Sequence, residues 1–347
     1  MADLGGPQRY HQLAMQVTRA IVIVAAACGG TSGGPTDDAA SDTGSPDGAS
    51  ATLGTVTGVM DTACPGMTTS LTCKRVTVGG CPGIESEPLD AVVGLLPTTA
   101  ATVRGTIAHF SGGGGTGFQM GATQAYATAG FTQVFVAWAS DWEQTQASGI
   151  KTAACRPATI MKWIFDDYHA ASRSTAFCGE GFSGGSGQLG YALAHYGLGD
   201  YFDYVNELSG PPFTRIDLGC DGDAPATAMV CGATVTMQLP PARLNPWENT
   251  TTCGTTGVPA ADLAKWNADS IGIGGTYAYP KTRVEFFDCT YQATAVTAMA
   301  QLFHDQITSD RAYHCYSQAD GCQGEGLGTG NQEAARAMID GCTPRHQ

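Results

Sequence analysis

Gly181-Phe182-Ser183-Gly184-Gly185 constrains this chain more than any other stretch. It follows the apolar run Thr175-Ala176-Phe177-Cys178 and precedes a helix-like segment, Gly187 to Tyr196. A serine squeezed between a strand and a helix needs a very tight turn. The residues two before and two after it must then be nearly free of side chain, and Gly181 and Gly185 meet that need. Such a turn lifts the serine hydroxyl clear of the sheet and aims the next backbone N–H at the same spot. Ser186 lies three residues on, with Gly184 two before it but Gln188 two after. It suits that geometry poorly and reads as a cap of the following helix.

Around this turn, short apolar runs alternate with helical patterns. Arg104 to Phe110 reads as a strand ending in four glycines, Gly112 to Gly115. Ala122 to Gly130 reads as a helix, Thr132 to Trp138 as a strand and Pro157 to His169 as a helix. Tyr204 to Leu208 and Thr282 to Phe287 read as strands, Ala293 to Ile307 as a helix, Ala312 to Ser317 as a last strand and Asn331 to Ile339 as a closing helix. This alternation predicts an α/β fold with a mostly parallel sheet covered by helices on both faces. Residues 213–270 break the pattern with Pro240-Pro241, Pro246, several glycines and three cysteines, and read as a disulfide-stapled cap insertion over the site. Asn249-Thr250-Thr251 inside it is a glycosylation sequon.

The 347 residues are 43% hydrophobic, enough for one large domain. Only 14% are charged and the net charge is −14, so nucleic acid is excluded as a partner for want of cations to meet phosphates. At the start, Arg19 precedes the apolar run Ala20 to Ala27, which suits a signal peptide over residues 1–28 and is too short to span a bilayer. The polar segment before Arg19 suggests Met15 as the initiator. Ala25-Ala26-Ala27-Cys28 resembles a bacterial lipobox, which would make a lipid on Cys28 the only membrane contact. Residues 29–51 read as a low-complexity tether and 52–347 as the folded domain. Thirteen cysteines, without a Cys-x-x-Cys pair, point to disulfides in an oxidising, extracytoplasmic setting rather than to a metal site. Local candidates are Cys64 with Cys73 or Cys81, Cys220 with Cys231, and Cys315 with Cys322.

Over residues 74–342 the chain resembles the α/β-hydrolase superfamily, most nearly its secreted or lipoprotein-type esterases and depolymerases. Three features carry the resemblance: the serine turn, the segment His109-Phe110-Ser111-Gly112-Gly113-Gly114-Gly115 after an early strand, and a strand, Asp288, helix, strand order downstream. It implies a serine hydrolase of carboxylic esters with no cofactor and no metal. Ser183 would be the nucleophile, Asp288 the acid and His314 the base, with oxyanion donors at Gly184 and at Gly113 or Gly114. Asp217 is the alternative acid. The superfamily keeps its histidine after the last strand, where this chain has Gln323 and no histidine, so His314 lies within the strand instead. Trp138, Trp142, Trp247 and Trp266 suit an apolar acyl or aryl group. Two other functions stay open: a catalytically degenerate hydrolase acting as a surface binding module, and a dinucleotide-binding oxidoreductase on Gly112-x-Gly114-x-x-Gly117 with Asp141 at the ribose.

Overall fold

The strand that carries the serine turn sits in the middle of a nine-stranded sheet. The computed structural model describes residues 51–65, 71–146, 148–223, 225–289, 294–316 and 329–347, with the side chains of 329–331 excepted. The signal segment, Cys28, the tether before residue 51 and Gln323 lie outside the described residues.

Strands β1 (Thr55–Thr62), β2 (Thr72–Gly79) and β3 (Leu89–Leu96) open the domain as an antiparallel meander. They precede the first strand recognised in the sequence. They are joined to β4 (Gly105–Phe110), β5 (Phe131–Trp138), β6 (Ala176–Phe182), β7 (Tyr204–Leu208), the two-stranded hairpin β8 (Thr227–Val230) and β9 (Ala233–Thr236), β10 (Arg283–Cys289) and β11 (Arg311–Tyr316). The large sheet runs β1-β2-β3-β5-β4-β6-β7-β10-β11. From β5 to β11 every pairing is parallel. Parallel neighbours need crossovers, and helices supply them. Helix α1 (Thr123–Thr128) links β4 to β5. The pair α2 (Ile150–Ala153) and α3 (Cys155–Asp167) links β5 to β6, and α4 (Gly184–Tyr196) links β6 to β7. The insertion between β7 and β10 holds α5 (Ile216–Cys220), the β8–β9 hairpin, α6 (Pro241–Trp247) and α7 (Ala260–Asp269). Helix α8 (Ala295–Gln306) links β10 to β11, and α9 (Thr329–Gly341) closes the chain.

Strand alternation sorts side chains to two cores. Ala108, Phe110 and Phe177 join the larger core, shared with α3, α4 and α8. Ile107, Ala176, Cys178 and Tyr204 join a smaller one, shared with α1 and α9. All six residues of β4 are buried, as a strand covered on both faces must be. The edge strand β1 is mostly exposed and carries three threonines in eight residues.

Cys64–Cys73 is one of the two pairings allowed for Cys64. Cys220 bonds Cys253 rather than Cys231, because Cys220 ends α5 and the Gly254 N–H donates to its carbonyl, which sets the two segments side by side. Cys231 reaches Cys315 on β11, so the insertion is stapled to the sheet. Cys81–Cys155 and Cys178–Cys342 complete the described bridges. These distant pairs depend on tertiary contacts that spacing could not reveal.

The Cys178–Cys342 bridge ties the central strand to the chain's end across 164 residues. Replacing both cysteines by alanine should lower unfolding free energy by about 2–4 kcal/mol, read from urea denaturation.

Candidate active site

The chain leaves β6 at Phe182 and enters α4 at Gly184, with Ser183 alone between them. Ser183 has φ 51° and ψ −112°, which is sterically disfavoured for an L-residue by roughly 1–3 kcal/mol. Its surroundings hold it there. The Ser183 N–H donates to the Leu208 carbonyl at 2.8 Å, anchoring the turn to β7. A Cβ on Gly181 would lie 2.6 Å from the Gly185 carbonyl carbon, and one on Gly185 would overlap the Phe110 carbonyl oxygen. Ser186 is fully buried, and its hydroxyl donates to the Ser183 carbonyl at 2.5 Å.

The glycine run after β4 touches this turn. A Cβ on Gly184 would overlap the Gly113 carbonyl oxygen, so the two backbones meet with nothing between them. The run is a turn closed by the Gly115 N–H to the Gly112 carbonyl at 3.2 Å. The segment after β5 pins it, with the Trp138 N–H on the Gly115 carbonyl at 2.8 Å and the Trp142 N–H on the Gly114 carbonyl at 3.1 Å. Among the described residues, none accepts a hydrogen bond from the N–H of Gly113, Gly114 or Gly184. Of these, Gly113 and Gly184 line the same cavity as Ser183. The run does not open a helix, since α1 starts only at Thr123, and Asp141 packs against Gly114. A dinucleotide loop would need the helix there.

Ser183, Gly184 and Gly113 line a cavity of about 80 Å³. Its walls are Pro212, Phe213, Leu239, Pro240, Leu244 and Trp247, with Val296 of α8. Most of this lining belongs to the insertion. Its two ionisable side chains are Glu143 and Arg243. Glu143 is fully buried, and neither carboxyl oxygen has a hydrogen-bond partner among the described residues. Burial pushes its carboxyl well above the usual range. Its own backbone N–H works against that, Asp141 adds to it and Arg243 draws it back. Neither Glu143 nor Arg243 stands out in the sequence, because an acid five residues past a strand and an arginine after two prolines look like ordinary surface residues. Of the four tryptophans only Trp247 lines the cavity. Trp142 and Trp266 are buried core, and the Trp138 indole N–H donates to Gln188 at 3.0 Å. A larger cavity, about 500 Å³, lies at the far end of α4 and includes His195, Tyr196 and Tyr279.

Asp288 and His314 are not brought together. In the β10–β11 register Phe287 faces His314 and Asp288 faces Cys315, so the two side chains project from opposite faces of the sheet. The Tyr313 hydroxyl donates to Asp288 on the α8 side. His314 stacks on Phe287 and bonds Glu285 through Nε2 at 2.8 Å on the other side. His314 as the base for Asp288 is therefore corrected. Asp217 is paired to the Arg215 guanidinium at 2.6 Å; burial works to raise its carboxyl, but that pair holds it below the usual range. His109 bonds Glu180 at 3.2 Å and stacks on Phe135, under the sheet face away from α4. His169 and His346 bond main-chain carbonyls, and His304 bonds its neighbour Asp305. No described histidine lines the Ser183 cavity.

No protein-family model and no curated protein sequence matches the chain. Solved structures do. An acetyl xylan esterase from Paenibacillus sp. R4 superposes at a TM-score of 0.51 with 10% identity, covering 83% of this chain and 89% of that one. A hyperthermophilic esterase from the archaeon Pyrobaculum calidifontis gives 0.46 and 13%, over 77% and 84%. A thermostable carboxylesterase cloned from a metagenomic library gives 0.47 and 14%, over 78% and 90%. At such identities the likeness speaks for the fold, and the chain has the α/β-hydrolase fold.

Asp288 offers a test of its own state. Burial raises its carboxyl to about 7, outweighing the Tyr313 hydrogen bond that lowers it. The folded protein thus binds this proton more tightly than the unfolded chain. That stability is fully present below the unfolded value near 3.8 and is lost as pH rises through about 7. Asp288→Asn should melt higher than wild type at pH 8 and about the same at pH 4, read from thermal midpoints across that range.

Proposed function

We propose that the protein hydrolyses carboxylic esters through an acyl-enzyme on Ser183. The strained serine turn, with Gly113 and Gly184 lining the same cavity and their N–H groups unbonded among the described residues, is the observation that carries this reading. The Ser183 oxygen attacks the ester carbonyl carbon, and the oxyanion is received by the N–H of Gly184 and of Gly113 or Gly114. Loss of one such donor costs about 3–4 kcal/mol of transition-state stabilisation. Collapse expels the alcohol, and water then releases the acid. The small, mostly apolar cavity suits a short acyl group. The name of the Paenibacillus neighbour, an acetyl xylan esterase, agrees with an ester substrate.

The serine proton has no imidazole acceptor among the described residues of the cavity. Positioning and oxyanion donors then carry the rate, a level of about 10³–10⁴-fold over water in serine hydrolases stripped of a triad member. The same observation favours a second reading, a binding module that keeps the fold without turnover. Five described disulfides favour an oxidising compartment, and no described helix is long and apolar enough to cross a membrane. With the signal-like start, we place the protein outside the cytoplasm, secreted or held by a lipid on Cys28.

The deciding measurement is hydrolysis of p-nitrophenyl acetate and butyrate. Wild type should exceed background, Ser183→Ala should fall to it, and His314→Ala should stay within about twofold of wild type. Wild type no faster than Ser183→Ala would sink the enzyme reading and leave the binding module.

A further inference from the structure

We infer that Glu143 and Arg243 form a carboxylate-recognising end of the Ser183 cavity, so that the preferred substrate is an ester whose acyl part carries a free carboxylate. This rests on the reading of Ser183 as the ester-cleaving residue. It adds the chemical class of the acyl group.

The two side chains line the same small cavity as Ser183, Gly113 and Gly184. Glu143 is fully buried with both carboxyl oxygens unpartnered among the described residues. A polar group left in that condition is costly, and it persists where a ligand completes it. Burial pushes its carboxyl well above the usual range, which favours the protonated form, an O–H donor, over the carboxylate. Arg243 supplies the positive charge. Its Nη1 lies 3.6 Å from where a Cβ on Gly113 would stand, beside the glycine run, and its guanidinium rests 5.9 Å from the centre of the Trp247 ring. Arg243 is exposed and makes no ion pair among the described residues.

One carboxyl donor and one guanidinium without an ion pair among the described residues match an acceptor that carries charge; Asp141, which acts on Glu143, pairs with neither. A carboxylate accepts several hydrogen bonds and takes a guanidinium in a two-point contact. A purely alkyl acyl group would leave Glu143 unsatisfied, and an ammonium would meet Arg243 as a like charge. The apolar walls from Phe213, Leu239 and Leu244 leave room for a short methylene spacer between the ester carbonyl and that carboxylate. For such a half-ester, water and the ester give a dicarboxylic acid and an alcohol, with no other reactant.

The test compares monomethyl succinate with dimethyl succinate at pH 7 and low salt. Wild type should favour the half-ester in kcat/KM by at least about tenfold. Arg243→Met should bring that ratio to about one. Glu143→Gln, which keeps a neutral donor, should retain the preference, while Glu143→Leu should lose it. Calorimetric titration of Ser183→Ala with monomethyl succinate gives a second readout that needs no turnover. Binding should be saturable and should weaken at least about tenfold when Arg243→Met is added. A wild-type ratio at or below one, a ratio unmoved by Arg243→Met, or no binding to Ser183→Ala overturns the assignment. So does loss of dimethyl succinate hydrolysis in both Glu143 variants, which would make Glu143 a proton acceptor. If neither ester is hydrolysed yet Arg243-dependent binding persists, the Ser183 reading fails and the carboxylate site stands.

Discussion

Everything at this site depends on backbones touching where side chains would keep them apart. Gly181 lies against Gly185, Gly185 against the Phe110 carbonyl, and Gly184 against the Gly113 carbonyl. These contacts bring the end of β6, the start of α4 and the glycine run after β4 into one small volume. They hold Ser183 at a backbone conformation it would not adopt alone. A single methyl group at Gly185 would separate the layers on which the site is built.

The second constraint is the two-residue period of a strand. It fixes which groups can meet, whatever their separation along the chain. Asp288 and His314 come from neighbouring strands and are adjacent in register, yet one turns toward α8 and the other toward the opposite face. Each is engaged there, Asp288 by the Tyr313 hydroxyl and His314 by Glu285. A one-residue difference in register separates two side chains on one face from two unrelated contacts.

The cavity itself is a product of the insertion. Phe213, Leu239, Leu244 and Trp247 come from the excursion between β7 and β10 and close over the serine. Cys220–Cys253 holds the excursion to itself, and Cys231–Cys315 holds it to the sheet. The Tyr191 hydroxyl on α4 donates to the Asp269 carbonyl at 2.8 Å, and the Ile150 N–H donates to Glu248 at 3.2 Å. Glu143 is buried in the same cavity wall, and that burial pushes its carboxyl well above the usual range.

The sequence by itself determined the parts that are local. Gly181 to Gly185 between a strand and a helix has few folded solutions, so the serine turn and the parallel sheet could be read from the residues, while the place of the glycine run came from the resemblance. The insertion announced itself as a break in the alternation, and the thirteen cysteines without a Cys-x-x-Cys pair as disulfides. The tertiary structure decided what depends on register and on long-range closure. The opening strand β1 lacks the apolar content of the buried strands, because it lies at an exposed edge. The pairings Cys81–Cys155 and Cys178–Cys342 span 74 and 164 residues and follow from packing. Glu143 became a site residue only once residues a hundred positions away closed over it. Its proton is set by burial, and burial is a property of the fold rather than of any stretch of chain.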